Sequence, residues 1–368
     1  MNTAELSAWL RLCHTDHVGP QCARQLLSCF GSAPAVFGQS EVALRQVVTQ
    51  RQANALLQTP PDLPALLART LHWLDRSPMH RIWCLGDAAY PAPLLDLSDP
   101  PLMLYGQGSL PTRAGLAVVG SRNPTHQGEQ IAQQMSQALA QAGLCIVSGL
   151  ALGVDGAAHV GALGASGASA APGDACLTVA VVGTGLDRVY PRQHQALAQR
   201  IAQQGLLLSE YPLGTPPLAA HFPRRNRLIA ALGLGTLVVE AALHSGSLIT
   251  AQLALDMGRE VMAVPGSIHA PQSHGCHALI RQGAKLVESV HDVLEELHLP
   301  TAPHLTAPTT RIDVAHSLLS HMGHDPVTLD ALLARTEWDL PTLQTELLTL
   351  ELSGQIGRLP GGLFQRSG

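Results

Sequence analysis

Residues 221–250 read HFPRRNRLIAALGLGTLVVEAALHSGSLIT, and the second half of this stretch decides the fold. Thr236–Glu240 is a short apolar run, which is typical of a strand buried in a sheet. Ser245–Ser247 then opens an apolar helix, so a buried strand is followed closely by a helix. This order of elements is typical of parallel sheets that are covered by helices.

The same order recurs on both sides of this stretch, from Gly115 to about Leu297. Each apolar run is short and is followed by a helical pattern. The runs are LAVVG (116–120), LCIVS (144–148), TVAVVG (178–183), LLLSE (206–210), TLVVE (236–240) and VMAVPG (261–266). We therefore predict an α/β domain over residues 80–297, with a Rossmann-like, doubly wound and mostly parallel sheet. Within it, residues 80–111 are expected to be a connector, because four of its prolines, Pro91, Pro93, Pro100 and Pro101, limit regular structure there.

The regions before and after this domain have different patterns. Residues 1–75 are predicted to be helical, and HVGPQCARQLLSCFG (17–31) is either a helix–hairpin–helix or an ordinary packing module. Residues 298–310 are rich in Pro and Thr and indicate a linker. Residues 311–368 predict three helices and a terminal hairpin, which describes a winged helix. The last of these helices, DLPTLQTELLTLEL (339–352), has no Lys or Arg, so contact with a protein is favoured over contact with duplex DNA.

The 368-residue chain is acidic overall, with a formal net charge of −5. A nucleic-acid-binding surface on such a chain has to be a local patch, and tight non-specific binding of duplex DNA is not expected. No apolar run is long enough to span a membrane and the first residues do not resemble a signal, so we expect a cytoplasmic protein. The cysteines and histidines lack the spacing of metal ligands, and neither a metal nor a cofactor is expected.

The basic run at the start of the opening stretch is such a local patch. Guanidinium groups bind phosphate oxygens through planar, paired donors, and a helix that begins at Ser-Gly-Ser offers unpaired N–H groups to the same ligand. An aromatic ring in the run adds a surface on which an unstacked base could lie, so single-stranded nucleic acid fits better than a free nucleotide. The residues that carry this hypothesis are Phe222, Arg224, Arg225, Asn226, Arg227, Ser245, Gly246 and Ser247.

The predicted strand ends point to the same kind of ligand. Ligands of open α/β sheets bind beyond the carboxyl ends of the strands, and those ends are rich in Gly, Ser and Arg here. The first strand leads into Ser121 and Arg122, and Arg192 follows the third strand, after Tyr190 and Pro191. One glycine-rich turn alone indicates little, but five such turns on one edge, with these arginines among them, indicate one ligand-binding edge.

Motifs of nucleotide-dependent enzymes are missing. Gly183-Thr184-Gly185 lacks the third glycine of a dinucleotide fingerprint, and the only lysine of the chain is not part of a P-loop. Asp155 and His159, at helical spacing, are more readily a capping and packing pair than a catalytic one. Glu210 and Glu240 stand at strand ends and could act as acids or bases. We favour the alternative, in which each holds neighbouring arginines or caps a helix N-terminus.

The motifs along the α/β domain, taken in order, resemble one known family. They are GSRNPTHQG (120–128), SGLALGVDGAAH (148–159), GTGLDRVYP (183–191), SEYPLG (209–214), HFPRRNRLIA (221–230), LVVEA (237–241), SGSLITA (245–251), GREVMAVPG (258–266) and HALIRQGA (277–284). Over roughly residues 80–297 this series is similar to the DNA-processing protein DprA (Smf) family. The flanking regions resemble the sterile-alpha-motif-like (SAM-like) N-terminal domain and the C-terminal winged-helix domain of many members.

The resemblance implies a non-enzymatic protein of natural transformation. Such a protein binds incoming single-stranded DNA, relieves the barrier from single-strand-binding protein and loads the RecA recombinase onto the strand. The resemblance also implies a homodimer built through the α/β domain. The DNA-contacting residues implied by the matching motifs are Ser121, Arg122, Arg192, Phe222, Arg224, Arg225, Asn226 and Arg227, and Ser245, Gly246 and Ser247 would line the same pocket.

Two points qualify the resemblance. His277 stands where the family usually has Asn, which leaves the hydrogen-bonding role of this position open. The competing class is an enzyme of the lysine-decarboxylase-like Rossmann group, a nucleoside monophosphate phosphoribohydrolase with a PGG-x-GT-x-x-E signature. GLGTLVVE (233–240) echoes that signature loosely, but the Pro-Gly-Gly is absent and the glutamate falls one residue late.

Overall fold

The computed structural model describes residues 2–165, 176–300, 317–323, 325–336 and 338–366. The chain divides into two units, Met1–Ala302 and Pro303–Gly368. The low-complexity residues 166–175 and residues 301–310 of the predicted linker lie outside the described residues.

The first unit begins with helices, as the sequence predicts. They are α1 (Thr3–His14), α2 (Pro20–Phe30), α3 (Ala33–Phe37), α4 (Glu41–Arg45), α5 (Gln50–Leu57) and α6 (Leu63–Asp75). Side-chain oxygens of Asn2, Ser32, Ser40 and Thr49 accept backbone N–H bonds at the starts of α1, α3, α4 and α5. Such caps satisfy donors that a helix leaves unpaired, which explains where these helices begin.

Nine strands of the described residues form one sheet. They are β1 (His80–Cys84), β2 (Met103–Gly108), β3 (Gly115–Val119), β4 (Cys145–Ser148), β5 (Thr178–Val181), β6 (Leu206–Ser209), β7 (Gly235–Val238), β8 (Glu260–Ala263) and β9 (Lys285–Leu286). Their spatial order is β1-β2-β6-β5-β4-β3-β7-β8-β9. β2 pairs antiparallel with β1 and β6, and the other neighbours are parallel. The mostly parallel sheet is confirmed, and each of the six predicted runs contains a strand.

The connector predicted for residues 80–111 is wrong in part, because β1 and β2 lie within it. Their register pairs His80 with Gln107 and Cys84 with Met103, so they form a hairpin that extends the sheet beyond β6. The four prolines all lie between the two strands, where Ala92–Asp96 forms a 3-10 helix. Proline therefore limits regular structure only in the connection between β1 and β2.

The middle of the sheet has the strand order of dinucleotide-binding folds. β4 and β5 follow on one side of β3, and β7 and β8 follow on the other. At the centre, Ala117 of β3 lies between Val147 of β4 and Thr236 of β7. The order reverses between β3 and β7, and such a reversal leaves a crevice beyond the carboxyl ends of the two strands.

Helices cover both faces of this sheet. They are α7 (His126–Gln141), α8 (Val154–Gly164), α9 (Gln195–Gln204), α10 (His221–Leu232), α11 (Gly246–Asp256), α12 (His274–Arg281) and α13 (Val290–Glu296). Leu116 and Val118 of β3 are buried against α7, α8 and α13, whereas Ala117 and Val119 are buried with residues of α10, α11 and α12. Successive side chains of one strand thus enter two separate cores, and the predicted doubly wound arrangement is confirmed.

The second unit is a small helical and β-sheet domain. It contains α14 (Ser317–Met322), β10 (Val327–Thr328), α15 (Leu329–Thr336), α16 (Leu340–Leu352), β11 (Ile356–Leu359) and β12 (Leu363–Arg366). Its strands are antiparallel in the order β10-β12-β11, and Leu332, Leu347 and Phe364 contribute to its core. The predicted winged helix is confirmed. Across both units, none of the described helices is long and apolar enough to cross a bilayer.

Candidate functional site

A cleft of about 510 Å³ lies at the carboxyl ends of β3 and β7, where the strand order reverses. Its walls come from the turn after β3, the start of α8, and residues of α10 and α11. The lining residues include Gly120, Ser121, Arg122, Asn123, Asp155, Arg225, Asn226, Ser245, Gly246, Ser247 and Thr250. Most of the residues predicted from sequence therefore line one cleft.

The N-terminus of α11 forms one end of the cleft. Ser245 caps this helix by accepting a hydrogen bond from the Ser247 N–H at 3.4 Å, and the two hydroxyl oxygens are 2.7 Å apart. Asn226 Nδ2 donates to the Gly246 carbonyl at 3.4 Å and so joins α10 to this turn. A Cβ at Gly246 would meet no atom within 4 Å, so the backbone is open to a ligand here. The positive end of the helix dipole suits an anionic group at this place.

The N-terminus of α7, by contrast, is already bound by a carboxylate of the chain. Glu240 accepts hydrogen bonds from Thr125, from the backbone N–H at 2.9 Å and from the hydroxyl at 2.6 Å. Gly128 leaves room for this carboxylate, because a Cβ there would lie 2.3 Å from Glu240 Cδ. The interpretation of Glu240 as a helix cap is confirmed, and this helix end is closed to a second anion.

Arg122 stands beside two aromatic rings at the edge of the cleft. Its guanidinium carbon is 5.7 Å from the centre of the Phe222 ring, and the Phe222 and Tyr190 ring centres are 5.5 Å apart. Arg122 is exposed, Phe222 is half-buried and Tyr190 is 48% exposed. Arg192 is also exposed, at the start of the 3-10 helix Arg192–His194. The Arg122 cation beside these ring faces suits alternating phosphates and bases.

Arg225 lies in the floor of the cleft and is not exposed as the basic run suggests. It is 3% exposed, and its Nη1 donates to the carbonyls of Gly149 and Val181 at the ends of β4 and β5. Gly149 makes room for it, because a Cβ there would be 2.4 Å from Nη1. Arg225 therefore ties α10 to two strand ends, and its guanidinium is already hydrogen-bonded.

Asp155 is the acidic counterpart of Arg225 in this floor. Its Oδ2 accepts hydrogen bonds from the N–H groups of Gly149 at 3.2 Å and Ala151 at 3.3 Å. Burial raises the pKa of Asp155, although Arg225 and the two N–H groups act in the opposite direction. Burial also lowers the pKa of Arg225 to about 10, and Asp155 acts against that change. Each charge thus stabilises the other in a place with little water.

His159, one helical turn after Asp155, packs in the core. It is fully buried, and its Nδ1 is 2.7 Å from Thr178 Oγ1. The Thr178 hydroxyl donates to the Ile146 carbonyl, so it accepts from Nδ1 and the imidazole is the neutral Nδ1–H form. The packing interpretation is confirmed for His159, but capping is wrong for Asp155, which does not cap α8 and instead accepts from two N–H groups of the turn before it.

Arg224 and Arg227 lie on another side of α10, at a smaller cavity of about 130 Å³. Arg227 is 2.5 Å from Glu210 through Nη2 and 3.3 Å from Asp99 through Nε. Arg224 is 50% exposed, and its Nε is 3.8 Å from the other Glu210 oxygen. The interpretation that Glu210 holds neighbouring arginines is confirmed. The three arginines of the basic run therefore do not form one exposed cluster.

Two further positions show what sequence reasoning left open or missed. His277 hydrogen-bonds with the Gly266 backbone, with its Nε2 3.0 Å from the carbonyl oxygen and 3.4 Å from the nitrogen. This contact gives position 277 a role in fixing the turn after β8. Asp99 was missed because it stands among prolines between β1 and β2, where no local pattern relates it to α10. No cluster of three or more His, Cys, Asp or Glu side chains among the described residues could hold a metal ion.

Comparison with known proteins places this geometry in a family. The sequence model of the family described as DNA recombination-mediator protein A matches residues 81–298, which is more than half of the chain. The chain belongs to this family. A DprA winged helix domain matches residues 300–362, and a DprA-like N-terminal HHH domain matches residues 3–44. DNA recombination-mediator protein A is a family of DNA-binding mediators, so the chain is not an enzyme of the lysine-decarboxylase-like group.

Relatives in three bacteria extend this result. Protein Smf of Escherichia coli K12 is 42% identical over 335 residues, which covers 87% of this chain and 86% of Smf. DNA processing protein DprA of Streptococcus pneumoniae R6 is 46% identical over 212 residues, covering 57% and 72% of the two chains. DprA of Bacillus subtilis 168 is 38% identical over 256 residues, covering 68% and 81%.

Two solved structures share the fold. The X-ray structure of DprA from Streptococcus pneumoniae has a TM-score of 0.67 at 33% identity and covers 82% of this chain and 99% of its own. A structure of DNA processing protein A from Helicobacter pylori has a TM-score of 0.51 at 30% identity and covers 59% and 96%. That protein has a single-stranded DNA binding mode.

Proposed function

We propose that this member of the recombination-mediator family binds single-stranded DNA along the carboxyl edge of its sheet. The observation that carries the proposal is the cleft at the switch between β3 and β7, which is lined by Arg122 and the N-terminus of α11. Arg122 also stands beside the Phe222 ring, which is next to Tyr190. Cations and N–H groups suit phosphates, and ring faces suit unstacked bases. The single-stranded DNA binding mode reported for the relative in Helicobacter pylori supports the same ligand.

Single-stranded DNA suits this site better than duplex DNA. The net charge of −5 weakens long-range attraction to a duplex, whose non-specific binding depends on many phosphate contacts. Aromatic stacking is available only to bases that have left a duplex stack. The strand is therefore held by a few cations, by the dipole of α11 and by stacking, without a chemical step.

The wider role that we propose is that of a protein of natural transformation. In this role it protects the incoming strand, relieves the barrier from single-strand-binding protein and loads the RecA recombinase, as a homodimer in the cytoplasm. Membership of the recombination-mediator family supports this role. Strand coating by purified RecA, on DNA covered with single-strand-binding protein, should start faster when this protein is added. An unchanged rate would contradict the loading role, and light scattering would test the dimer.

The DNA site is tested by removing its exposed cations. Arg122→Ala and Arg224→Ala should each weaken the binding of a fluorescent dT oligonucleotide by about fivefold to tenfold, because each removes a contact to a charged phosphate. Each lost phosphate contact should also reduce the slope of log Kd against log salt by about 0.7. Fluorescence anisotropy at several salt concentrations measures both quantities.

Arg51→Ala is the matched control, because Arg51 is an exposed helical arginine of α5 outside the cleft. It should leave both the affinity and the salt slope unchanged. If Arg122→Ala and Arg224→Ala also leave both unchanged, the strand does not bind along this edge.

A further inference from the structure

The cavity beside Arg224 and Arg227 is separate from the cleft, and of its lining residues only the exposed Arg224 has been assigned to the DNA site so far. We call it the lateral cavity; its volume is about 130 Å³. It lies between α1 and the sheet, and its walls include Cys13, Tyr105, Glu210, Arg224 and Arg227. The cleft and the lateral cavity are therefore lined by different residues of the same helix, α10.

Two charged side chains of the lateral cavity have buried polar atoms that lack a hydrogen bond, although Glu210 Oε1 lies 3.8 Å from Arg224 Nε. The side chains of Glu210 and Arg227 are 8% and 10% exposed, and one contact joins Glu210 Oε2 to Arg227 Nη2. The other carboxylate oxygen, Oε1, and the other terminal nitrogen, Nη1, are buried without a hydrogen bond in the described part of the chain. A buried polar atom without a hydrogen bond costs free energy, so a ligand that reached this acceptor and this donor would be stabilised by bonding to both.

The charge balance of the lateral cavity indicates a neutral ligand. Asp99 and Glu210 are opposed by Arg224 and Arg227, so two negative and two positive groups stand at its walls. A phosphate would meet both carboxylates and would lose its own hydration. The remaining walls include apolar side chains such as Val18, Leu102 and Met103, and a planar heterocycle with a polar edge fits such surroundings.

We propose that the lateral cavity takes one nucleobase of the bound single strand, an inference that rests on the proposed function. Every nucleobase has an N–H group next to an acceptor on its Watson–Crick edge. Glu210 Oε1 accepts from that N–H group, and Arg227 Nη1 donates to the neighbouring acceptor. Arg224, half-exposed at the same cavity, contacts the adjacent phosphate. The contact does not depend on base identity, but it requires a base that is unpaired.

This arrangement gives the protein a way to distinguish single strands from duplexes. In a duplex the Watson–Crick edge is hydrogen-bonded to the opposite strand, so a paired base cannot satisfy Glu210 and Arg227. The cleft binds the phosphates of the strand, and the aromatic rings beside it stack on bases. The lateral cavity binds a base only if that base is unpaired. Two sides of α10 thus recognise different parts of the same strand.

Photo-crosslinking locates the base without any mutation. Oligonucleotides of dT with one 5-iododeoxyuridine at successive positions are bound to the full-length protein, irradiated and digested, and the crosslinked peptides are identified by mass spectrometry. We expect one position to crosslink to Met103 or Tyr105 in the wall of the lateral cavity. Crosslinks confined to the Phe222 and Tyr190 side would overturn the inference, while single-strand binding itself would remain established.

Glu210→Gln gives a test in which the two explanations predict opposite signs. If Glu210 accepts from a base, the variant should bind dT about fivefold more weakly, because a charge-assisted hydrogen bond is lost. A strand with an abasic residue at the crosslinking position should bind the variant and the wild type equally. If only the phosphates of the strand contact the protein near Glu210, removal of this negative charge should leave the affinity for dT unchanged or increase it.

Asp96→Asn is the matched control, because Asp96 pairs with the mostly buried Arg259 away from both cavities. It should bind dT as the wild type does. Thermal unfolding shows whether each variant is folded. If Glu210→Gln does not fold, the crosslinking experiment still tests the inference, because it uses the wild-type protein. Free thymidine should compete only weakly, and competition as strong as that of the strand would mean a metabolite site instead. A protein that binds no single strand at all would contradict the proposed function itself.

Discussion

The buried imidazole of His159 is a single residue that makes the fold sensitive to acid. Burial lowers its pKa from an ordinary value of 6.5 to about 3, with smaller contributions in the same direction from His194 and Arg225. Protonation would place a charge on Nε2, which is buried and has no hydrogen-bond partner among the described residues. The neutral ring is therefore part of the folded state.

The depressed pKa of His159 predicts how stability depends on pH. The unfolded chain binds a proton at this residue near pH 6.5 and the folded chain does so only near pH 3, so stability is lost as pH falls between these values. The loss attributable to His159 between pH 7 and pH 4 should be about 3 kcal/mol. Urea unfolding at a series of pH values measures it, with His159→Gln as the reference variant. Equal slopes for the two proteins would contradict the assignment.

Individual residues also show where the sequence is sufficient and where it is not. Glu240 and Glu210 stood at the ends of predicted strands, and both local interpretations are confirmed because strand ends meet helix starts at one edge of an α/β sheet. The three arginines were interpreted together because they are neighbours in sequence. Helical geometry separates them, because Arg224 and Arg227 are three positions apart and Arg225 lies about 100° away from Arg224.

At the scale of the element, α10 is a structural tie as well as the proposed binding surface. Its buried Arg225 joins two strand ends through the carbonyls of Gly149 and Val181 and balances the charge of Asp155. Its exposed Arg224 makes only one long contact with a carboxylate. Substitution of these two neighbouring arginines should therefore have different consequences.

Arg225→Ala should reduce the free energy of unfolding by about 3 kcal/mol, because it leaves Asp155 as a buried charge without a counterion. Arg224→Ala should change it by less than about 0.5 kcal/mol, because an exposed ion pair contributes little. Urea unfolding of both variants beside the wild type gives the comparison. Similar values for the two variants would show that Arg225 is not a structural tie. Of these two variants, only Arg224→Ala then reports on DNA binding without a large loss of stability.

The strands show why some elements could be predicted and others could not. β3 to β8 are buried on both faces, so each appears in the sequence as a continuous apolar run. β1 and β2 carry similar runs, RIWC (81–84) and LMLYG (102–106), but the prolines between them obscured the hairpin. β9 has only two residues, Lys285 and Leu286, which is too short for a pattern to appear.

At the scale of the whole molecule, the two units should contribute unequally to strand binding. The cleft, the lateral cavity and α10 all belong to the unit Met1–Ala302. The helix α16 of the other unit carries two glutamates and neither Lys nor Arg, which makes it a poor partner for phosphate. The sequence-based preference for a protein partner of this unit stays a prediction.

A protein that ends at Ala302 should bind a dT oligonucleotide with an affinity within about twofold of the full-length protein, since the proposed phosphate contacts are retained. Its salt slope should be the same. Anisotropy titrations of both proteins at matched salt concentrations measure this. A loss of tenfold or more would assign a direct DNA contact to the winged helix.

The lateral cavity illustrates the limit of prediction at this scale. Its walls bring Cys13 and His14 of α1 together with Tyr105 of β2 and Glu210, which follows β6, and these residues are far apart in sequence. Periodicity predicts which face of each element is buried, but it does not predict which faces meet. The cleft was predictable because the ends of consecutive parallel strands must share one edge.

The carboxylate of Glu240 at the start of α7 affects which small molecules can bind this fold. In dinucleotide-binding folds the helix after the first central strand holds the pyrophosphate of the cofactor at its N-terminus. Here that position is filled by a side chain of the protein itself, with hydrogen bonds to Thr125. The pyrophosphate of NAD or FAD therefore cannot bind at the N-terminus of α7 as it does in dinucleotide-binding folds. We therefore expect NAD and FAD not to compete with the DNA binding that we propose for the neighbouring cleft.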